Sequence, residues 1–292
     1  MALTERDRGL LRTVAEYGVL TTDHVRALCF PSASRARKRL RRLWQHGFLR
    51  RHVRPVRMGE GSAAFLYTLG RAGAQFASGN AKTTSRSRAS VGEHSLRIID
   101  FRVGLALALR HRTGLRFARW QSGKAFRFGQ PVAVNHGMRV VPIVPDGFFT
   151  LAADGREFHY CLEVDRGTTD LGRLRAKFLA YLNLWQSRAA SAKLGILSFR
   201  ILYVTTTEKR LAHMLDALRG LQGAQRRLDL IALSCFNRYS LTHPERLLAP
   251  IFQTIGPDGA VQTARPFPAP PPVALPIVPG KPPVSEPDAG AR

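Results

Sequence analysis

One short segment, VPDGFFTLAADGREFHYCLEVDRG at residues 144–167, limits the fold more than any other part of the chain. Its Asp154-Gly155 pair separates two alternating runs and signals a two-residue type I′ turn, because both central residues of that turn need positive φ. Such a turn sets the register, so that residues whose numbers sum to 309 face one another. Asp146 then stands opposite Glu163. Directly opposed residues project on one side of a sheet with β-carbons about 5 Å apart, and Asp165 shares that side. Three carboxylates converge near one strand end, while Phe158, Tyr160, Leu162 and Val164 form the opposite, core-facing side. Like charges so placed repel. A divalent ion on oxygen ligands would balance them, and so would Lys or Arg from the next helix.

The elements around this hairpin predict a layered domain. A helix over Glu93–Arg110 carries Leu96, Ile99, Val103, Ala106 and Leu107 inward, with Glu93, Arg97, Asp100 and Gly104 on a polar face. Strands are expected at Leu115–Trp120, Val140–Leu151 and Glu157–Val164. A helix from about Asp170 to Trp185 buries Leu171, Leu174, Phe178, Tyr181, Leu182 and Trp185. Strand Phe199–Thr205, helix Glu208–Leu221 and strand Leu228–Cys235 follow. The order αβββαβαβ fits an α/β sandwich on a mixed sheet. The tail from Pro250 holds 12 of the 18 prolines and reads as disordered or polyproline-like.

The first 78 residues read helix, helix, helix, hairpin. Thr4 caps the first helix with Asp7 three residues on, and Leu3, Leu10, Leu11 and Val14 form its buried stripe. Thr21 or Thr22 caps a second helix carrying Val25 and Leu28. A serine at 32 or 34 opens a third, which Gly47 stops, with Leu40, Leu43 and Trp44 inward. Phe48–Val53 and Ala64–Leu69 alternate as strands around a bend at Arg54–Ser62 containing Gly59 and Gly61. This is winged helix-turn-helix order. Between Asp23 and Glu60 there is no acid, while Arg35, Arg37, Lys38, Arg39, Arg41, Arg42, Arg50, Arg51, Arg54 and Arg57 supply ten cations to the third helix and wing. In a winged helix those elements meet the major groove and the backbone, so double-stranded DNA is the expected partner, with Arg35 and Arg39 as candidates for base edges. The alternative is a solvated basic helix in a protein-interaction unit.

Composition narrows the field. A chain of 292 residues with 45% hydrophobic content can bury a sizeable core, and two domains are expected: 1–78 and 93–248, joined by a small, polar linker at 79–92 and followed by the tail at 249–292. A net charge of +25 calls for a polyanionic partner. The longest apolar run, Val103–Leu109, is far short of the roughly 20 residues that cross a bilayer, and MALTERDRG lacks an apolar leader, so a cytoplasmic protein without membrane contact is expected. Cys29, Cys161 and Cys235 are far apart, which argues against a disulfide framework or a cysteine zinc site. There is no phosphate-binding glycine loop and no nucleophile elbow, and the aromatics sit at core spacings rather than in an RNA-binding strand.

Pro145-Asp146, the hairpin and Glu163-Val164-Asp165, flanked by helices, resemble the PD-(D/E)xK nuclease superfamily over about residues 93–235. The resemblance implies a restriction-endonuclease-like sandwich in which Asp146, Glu163 and Glu93 hold Mg²⁺ or Mn²⁺. The lysine position of that motif is Asp165. Lys177, on the following helix, would return the ammonium. The wider order of motifs resembles the replication-relaxation family of plasmid and mobile-element proteins. Its carriers are LTERDRGLLRTVAEYGVLTTDHVRAL, RKRLRRLWQHGFLRR, LYTLGRAGA, GEHSLRIIDFRVGL, VPDGFF, CLEVDRGT and KFLAY, with Lys177 and Tyr181 in the last. That resemblance implies a DNA-binding protein acting in plasmid replication or DNA relaxation beside replication or relaxase proteins. Two functions follow as expectations: a metal-dependent nicking nuclease using Asp146, Glu163, Asp165 and Lys177, or a non-enzymatic regulator or accessory factor with a degenerate nuclease fold. His94, beside Glu93, could line the carboxylate cluster, and His159 lies on the carboxylate side of its strand.

Overall fold

The computed structural model describes residues 1–53, 65–78, 92–110, 112–134, 137–221 and 227–268. It has a mixed α+β architecture. Each early helix starts where its cap residue dictates. Thr4 and Asp7 form a reciprocal capping box at α1 (Glu5–Tyr17), Thr21 does the same with His24 at α2 (Thr22–Cys29), and Ser32 caps α3 (Ala33–Gln45). A small antiparallel sheet closes the unit in the order β1 (Leu20–Thr21), β3 (Leu66–Leu69), β2 (Leu49–His52). Leu10, Leu11, Val14, Val25, Leu40 and Leu43 fill its core, as their spacing predicts. Trp44 is the exception: it is 37% exposed instead of turning inward. The bend between the two hairpin strands, with Arg54 and Arg57, lies outside the described residues.

A fourth helix, α4 (Arg71–Ser78), was not anticipated from the sequence; Gly70 precedes it and Gly73 lies in its first turn. Their role is close packing. A β-carbon on Gly70 would lie 2.2 Å from the Gly47 carbonyl oxygen, and one on Gly73 would lie 2.1 Å from that of Phe48.

The second unit is a seven-stranded mixed sheet in the order β12-β11-β10-β9-β8-β7-β4. Its strands are β4 (Leu115–Ser122), β7 (Gly147–Ala153), β8 (Arg156–Val164), β9 (Phe199–Thr205), β10 (Ile231–Cys235), β11 (Phe252–Ile255) and β12 (Val261–Ala264), with β8, β9 and β10 parallel. The predicted register holds from Gly147 opposite Leu162 to Ala153 opposite Arg156, with φ of 50° at Asp154 and 71° at Gly155. One face of the sheet packs on α6 (Leu171–Gln186), α7 (Ala189–Leu194) and α8 (Glu208–Arg219), and the other on α5 (Glu93–Leu109).

Three expectations need correction. Val140–Leu151 is not one strand: β6 (Gly137–Ile143) pairs with β5 (Phe128–Val134) in a separate ribbon, and the chain turns at 144–146 before β7 begins. Pro145 has no N–H to continue a ladder, which ends the first run there. The Pro-rich tail does not begin at Pro250, because β11 and β12 extend the sheet and Phe252, Ile255 and Phe267 are buried. Residues 269–292 lie outside the described residues, as do 79–91 of the expected linker. Finally, α5 is not one-sided. Gly104 of its expected polar face packs against Tyr239 and Leu247, and Phe101 and Leu105 are buried in the sheet core. Among the described residues, no helix is long and apolar enough to cross a membrane.

Candidate functional site

The chain reaches Asp146 through a tight crossing of two segments. A β-carbon on Gly123 would lie 1.4 Å from the Pro145 carbonyl oxygen, and one on Gly147 would lie 2.4 Å from the Trp120 ring. Only glycine lets both neighbours of Asp146 approach so closely. The Asp146 N–H donates to the Leu162 carbonyl at 2.8 Å, one residue off the hairpin register, whose last pair is Gly147 with Leu162. Glu163 and Asp165 then follow from the alternation of β8. All three line one cleft of about 600 Å³, with His94, Lys177, Arg139 and Tyr203 among its other walls.

Each carboxylate has its own cationic or imidazole partner, drawn from a different helix. His94 Nε2, in the first turn of α5, lies 2.8 Å from Asp146 Oδ1, and the Val164 N–H donates to Oδ2 at 2.7 Å. On α6, Lys177 and Tyr181 are one turn apart and reach the same group, since residues i and i+4 share a helix face. Lys177 Nζ donates to Glu163 Oε2 at 2.6 Å and the Tyr181 hydroxyl to Oε1 at 2.5 Å. Thr207 caps α8 and so places Arg210, whose Nε donates to Asp165 Oδ2 at 2.9 Å and whose Nη2 donates to Oδ1 at 3.1 Å. The Thr205 hydroxyl and the Gly167 N–H complete the shell of Asp165.

Burial holds the Glu163 carboxyl above the ordinary glutamate range; Lys177 draws it down and the Asp146 charge pushes it up again. Burial and the Glu163 charge likewise push the Tyr181 hydroxyl well up. Tyr203 is raised by burial and by Glu163, Asp146 and Asp165 together, and its buried hydroxyl has no hydrogen-bond partner among the described residues.

Every oxygen of the three carboxylates thus already accepts a hydrogen bond from the protein. Among the described residues no three His, Cys, Asp or Glu side chains stand together at metal-holding spacing. The arrangement does not fit a divalent ion as it stands, because an ion shared by Asp146 and Glu163 would have to displace the ammonium and the imidazole. Glu93, expected as a further ligand, faces Arg166 at 3.3 Å instead. His94 does reach the cluster. His159 does not: it stacks on Phe148 and contacts the Thr150 hydroxyl at 3.1 Å. The sequence reading missed Tyr181 as a partner of Glu163, although the four-residue spacing in KFLAY carried that signal. Arg210 and Thr205 had no local signal.

The second candidate surface is basic. Arg35, Arg37, Lys38, Arg41 and Arg42 on α3 and Arg50 on β2 are exposed. None of these six has an acidic partner among the described residues. Arg39 differs, because its guanidinium is bound through two nitrogens to buried Asp7 and ties α3 to α1. Burial would raise the Asp7 carboxyl, but Arg39 and Thr4 outweigh it and hold the group below the ordinary aspartate range. Arg51 is half-buried between aromatic rings.

Fold and site together define an α+β protein in which a basic helical unit is joined to a sheet bearing a cleft of hydrogen-bonded carboxylates. A family model described as replication-relaxation matches residues 11–198, more than half of the chain, and the chain belongs to that family. No curated protein and no solved structure matches it. Membership brings with it a role in the replication or relaxation of mobile elements.

Proposed function

We propose that this chain serves replication or relaxation as a duplex-DNA-binding protein, a winged helix whose α3 enters the major groove while β2 and its wing follow the backbone. One observation carries the reading: six exposed cations lie on α3 and β2 without an acidic partner among the described residues. A helix of 13 residues is about 20 Å long, enough to present several side chains to one groove. Concentrating uncompensated charge there is costly unless a polyanion neutralises it. Arg39 is excluded from base reading, because freeing it would strand a buried carboxylate. The test is binding to a labelled duplex across a salt series. Arg35→Glu with Arg42→Glu should weaken binding and flatten its salt dependence, each lost phosphate contact removing about 0.9 from the logarithmic slope. Unchanged affinity would show that α3 faces elsewhere.

A second reading, in which Asp146, Glu163 and Lys177 form a PD-(D/E)xK-like nicking centre dependent on Mg²⁺ or Mn²⁺, is favoured by their convergence on one cleft. The paired carboxylates favour instead an accessory factor whose sandwich is an assembly platform. Incubating supercoiled plasmid with either ion separates the two. Nicking by the wild type that is lost in Asp146→Ala would establish the nuclease; no nicking by either protein, with duplex binding intact, would remove the enzyme claim.

A further inference from the structure

The wing-side strand β2 holds one arginine unlike its neighbours. Arg51 lies on the same side of β2 as Leu49, the side that packs against α3, but one step nearer the open end of the strand. Its guanidinium carbon sits 3.8 Å from the centre of the Trp44 ring and 4.4 Å from that of Phe65. Trp44 is 37% exposed and Phe65 36%, so two large aromatic side chains stay at the surface of the N-terminal unit around this one cation. Neither ring belongs to the buried core. The guanidinium has no hydrogen-bond acceptor among the described residues. Arg41 lies near enough that it and Arg51 both counter the rise that burial gives the Tyr67 hydroxyl. Two cations are thus held close to one phenol, with no acid beside them among the described residues.

We infer that Trp44 and Phe65 are positioning residues that hold Arg51 as a preformed fork for one backbone phosphate of duplex DNA, beside the wing. The inference rests on the DNA-binding reading and adds to it a division of labour. The exposed α3 cations are flexible and keep their side-chain entropy until they bind. Arg51 has lost most of that freedom already, because stacked rings fix the plane of the guanidinium. A planar fork matches two phosphate oxygens at once, which an ammonium cannot do. The exposed aromatics follow from the same function. Buried, they would seal the guanidinium away; absent, they would let it swing.

Binding of the full chain to a short labelled duplex over a salt series tests this. Arg51→Ala should lower affinity about tenfold and reduce the steepness of the salt dependence by about one contact. Arg51→Lys should lose several-fold in affinity with the salt slope kept, since the charge remains and the fork does not. Trp44→Leu and Phe65→Leu should behave like Arg51→Lys, a signature that a merely structural stack would not give. Circular dichroism and thermal midpoints identify any variant that fails to fold, and Arg51→Lys, which leaves both rings in place, then decides. If Arg51→Lys and Arg51→Ala both bind as wild type while Arg35→Glu with Arg42→Glu does not, the fork is refuted and the DNA reading stands. If none of these changes affects binding, the DNA reading falls with it.

Discussion

Replacing Lys177 by Met leaves the Glu163 carboxylate in its buried position without its cation. The Glu163 side chain is 6% exposed and that of Lys177 is 29%. Removing one partner of a fully buried pair costs about 3–5 kcal/mol. Two features reduce that here: the ammonium is partly hydrated, and the Tyr181 hydroxyl still donates to Oε1. The expected loss is about 2–3 kcal/mol, or roughly 4–12 °C in Tm for a domain of this size. The pH dependence is the sharper test. Glu163 already has a raised pKa in the folded chain. A carboxyl with a raised folded pKa binds its proton more tightly when folded than when unfolded, so it favours folding at low pH, and that benefit is lost as pH rises through the folded value. Without Lys177 the folded pKa climbs further, and the cost of the substitution should grow from pH 5 towards pH 8. Adding Glu163→Gln to Lys177→Met removes the stranded charge and should flatten that dependence. Urea unfolding at several pH values measures all of this. A Lys177→Met variant with wild-type stability, or with a loss independent of pH, would show that Glu163 is not held by this ammonium.

Other perturbations probe the supports of the two surfaces. Asp7 is held below the ordinary aspartate range, so the stability it contributes is present above that range and is lost as pH falls through its lowered folded value. Asp7→Asn should cost about 2 kcal/mol near neutrality and remove that part of the acid-induced loss, read from urea midpoints at successive pH values. Gly123→Ala sets a β-carbon against the Pro145 carbonyl. It should cost about 1–3 kcal/mol and broaden or shift the Asp146 backbone resonance in an amide spectrum, whereas an unchanged spectrum would contradict the close crossing.

What could be read in advance was what short-range geometry decides. The Asp154-Gly155 turn has two residues and one register, so the pairing from Gly147 with Leu162 to Ala153 with Arg156 followed by counting. The caps at Thr4, Thr21 and Ser32 were equally local. What escaped depends on distant partners. His94, Lys177 and Arg210 each contact one of three neighbouring acids, yet they come from three helices whose docking no local pattern encodes. Arg39 looked like one cation among ten, and only the packing of α3 on α1 gives it to Asp7. The two late strands were hidden by composition: ten of the twelve prolines after residue 249 lie at Pro266 or beyond, past the end of β12.

The helix first read as the start of the second domain belongs to both units. Leu96, Ile99, Val103 and Leu107 of α5 complete the core of the N-terminal unit, while Phe101, Leu105 and Leu109 enter the core against the sheet. Apolar residues on opposite sides of a helix mean that it is buried between two layers. Polar ties reinforce the joint: His24 Nε2 is 2.7 Å from Asp100 Oδ1, the Arg110 guanidinium donates to the Leu28 carbonyl at 2.8 Å, and buried Arg102 is bound to Glu16 and stacks between Tyr17 and Trp120. Three of these links start from α1 or α2, the helices on which α3 is seated. At its other end the same α5 carries His94 onto Asp146. The two units therefore cannot move as independent bodies without breaking both a shared apolar core and its polar clasps, and a displacement of the N-terminal unit would act on a helix whose first turn forms part of the cleft.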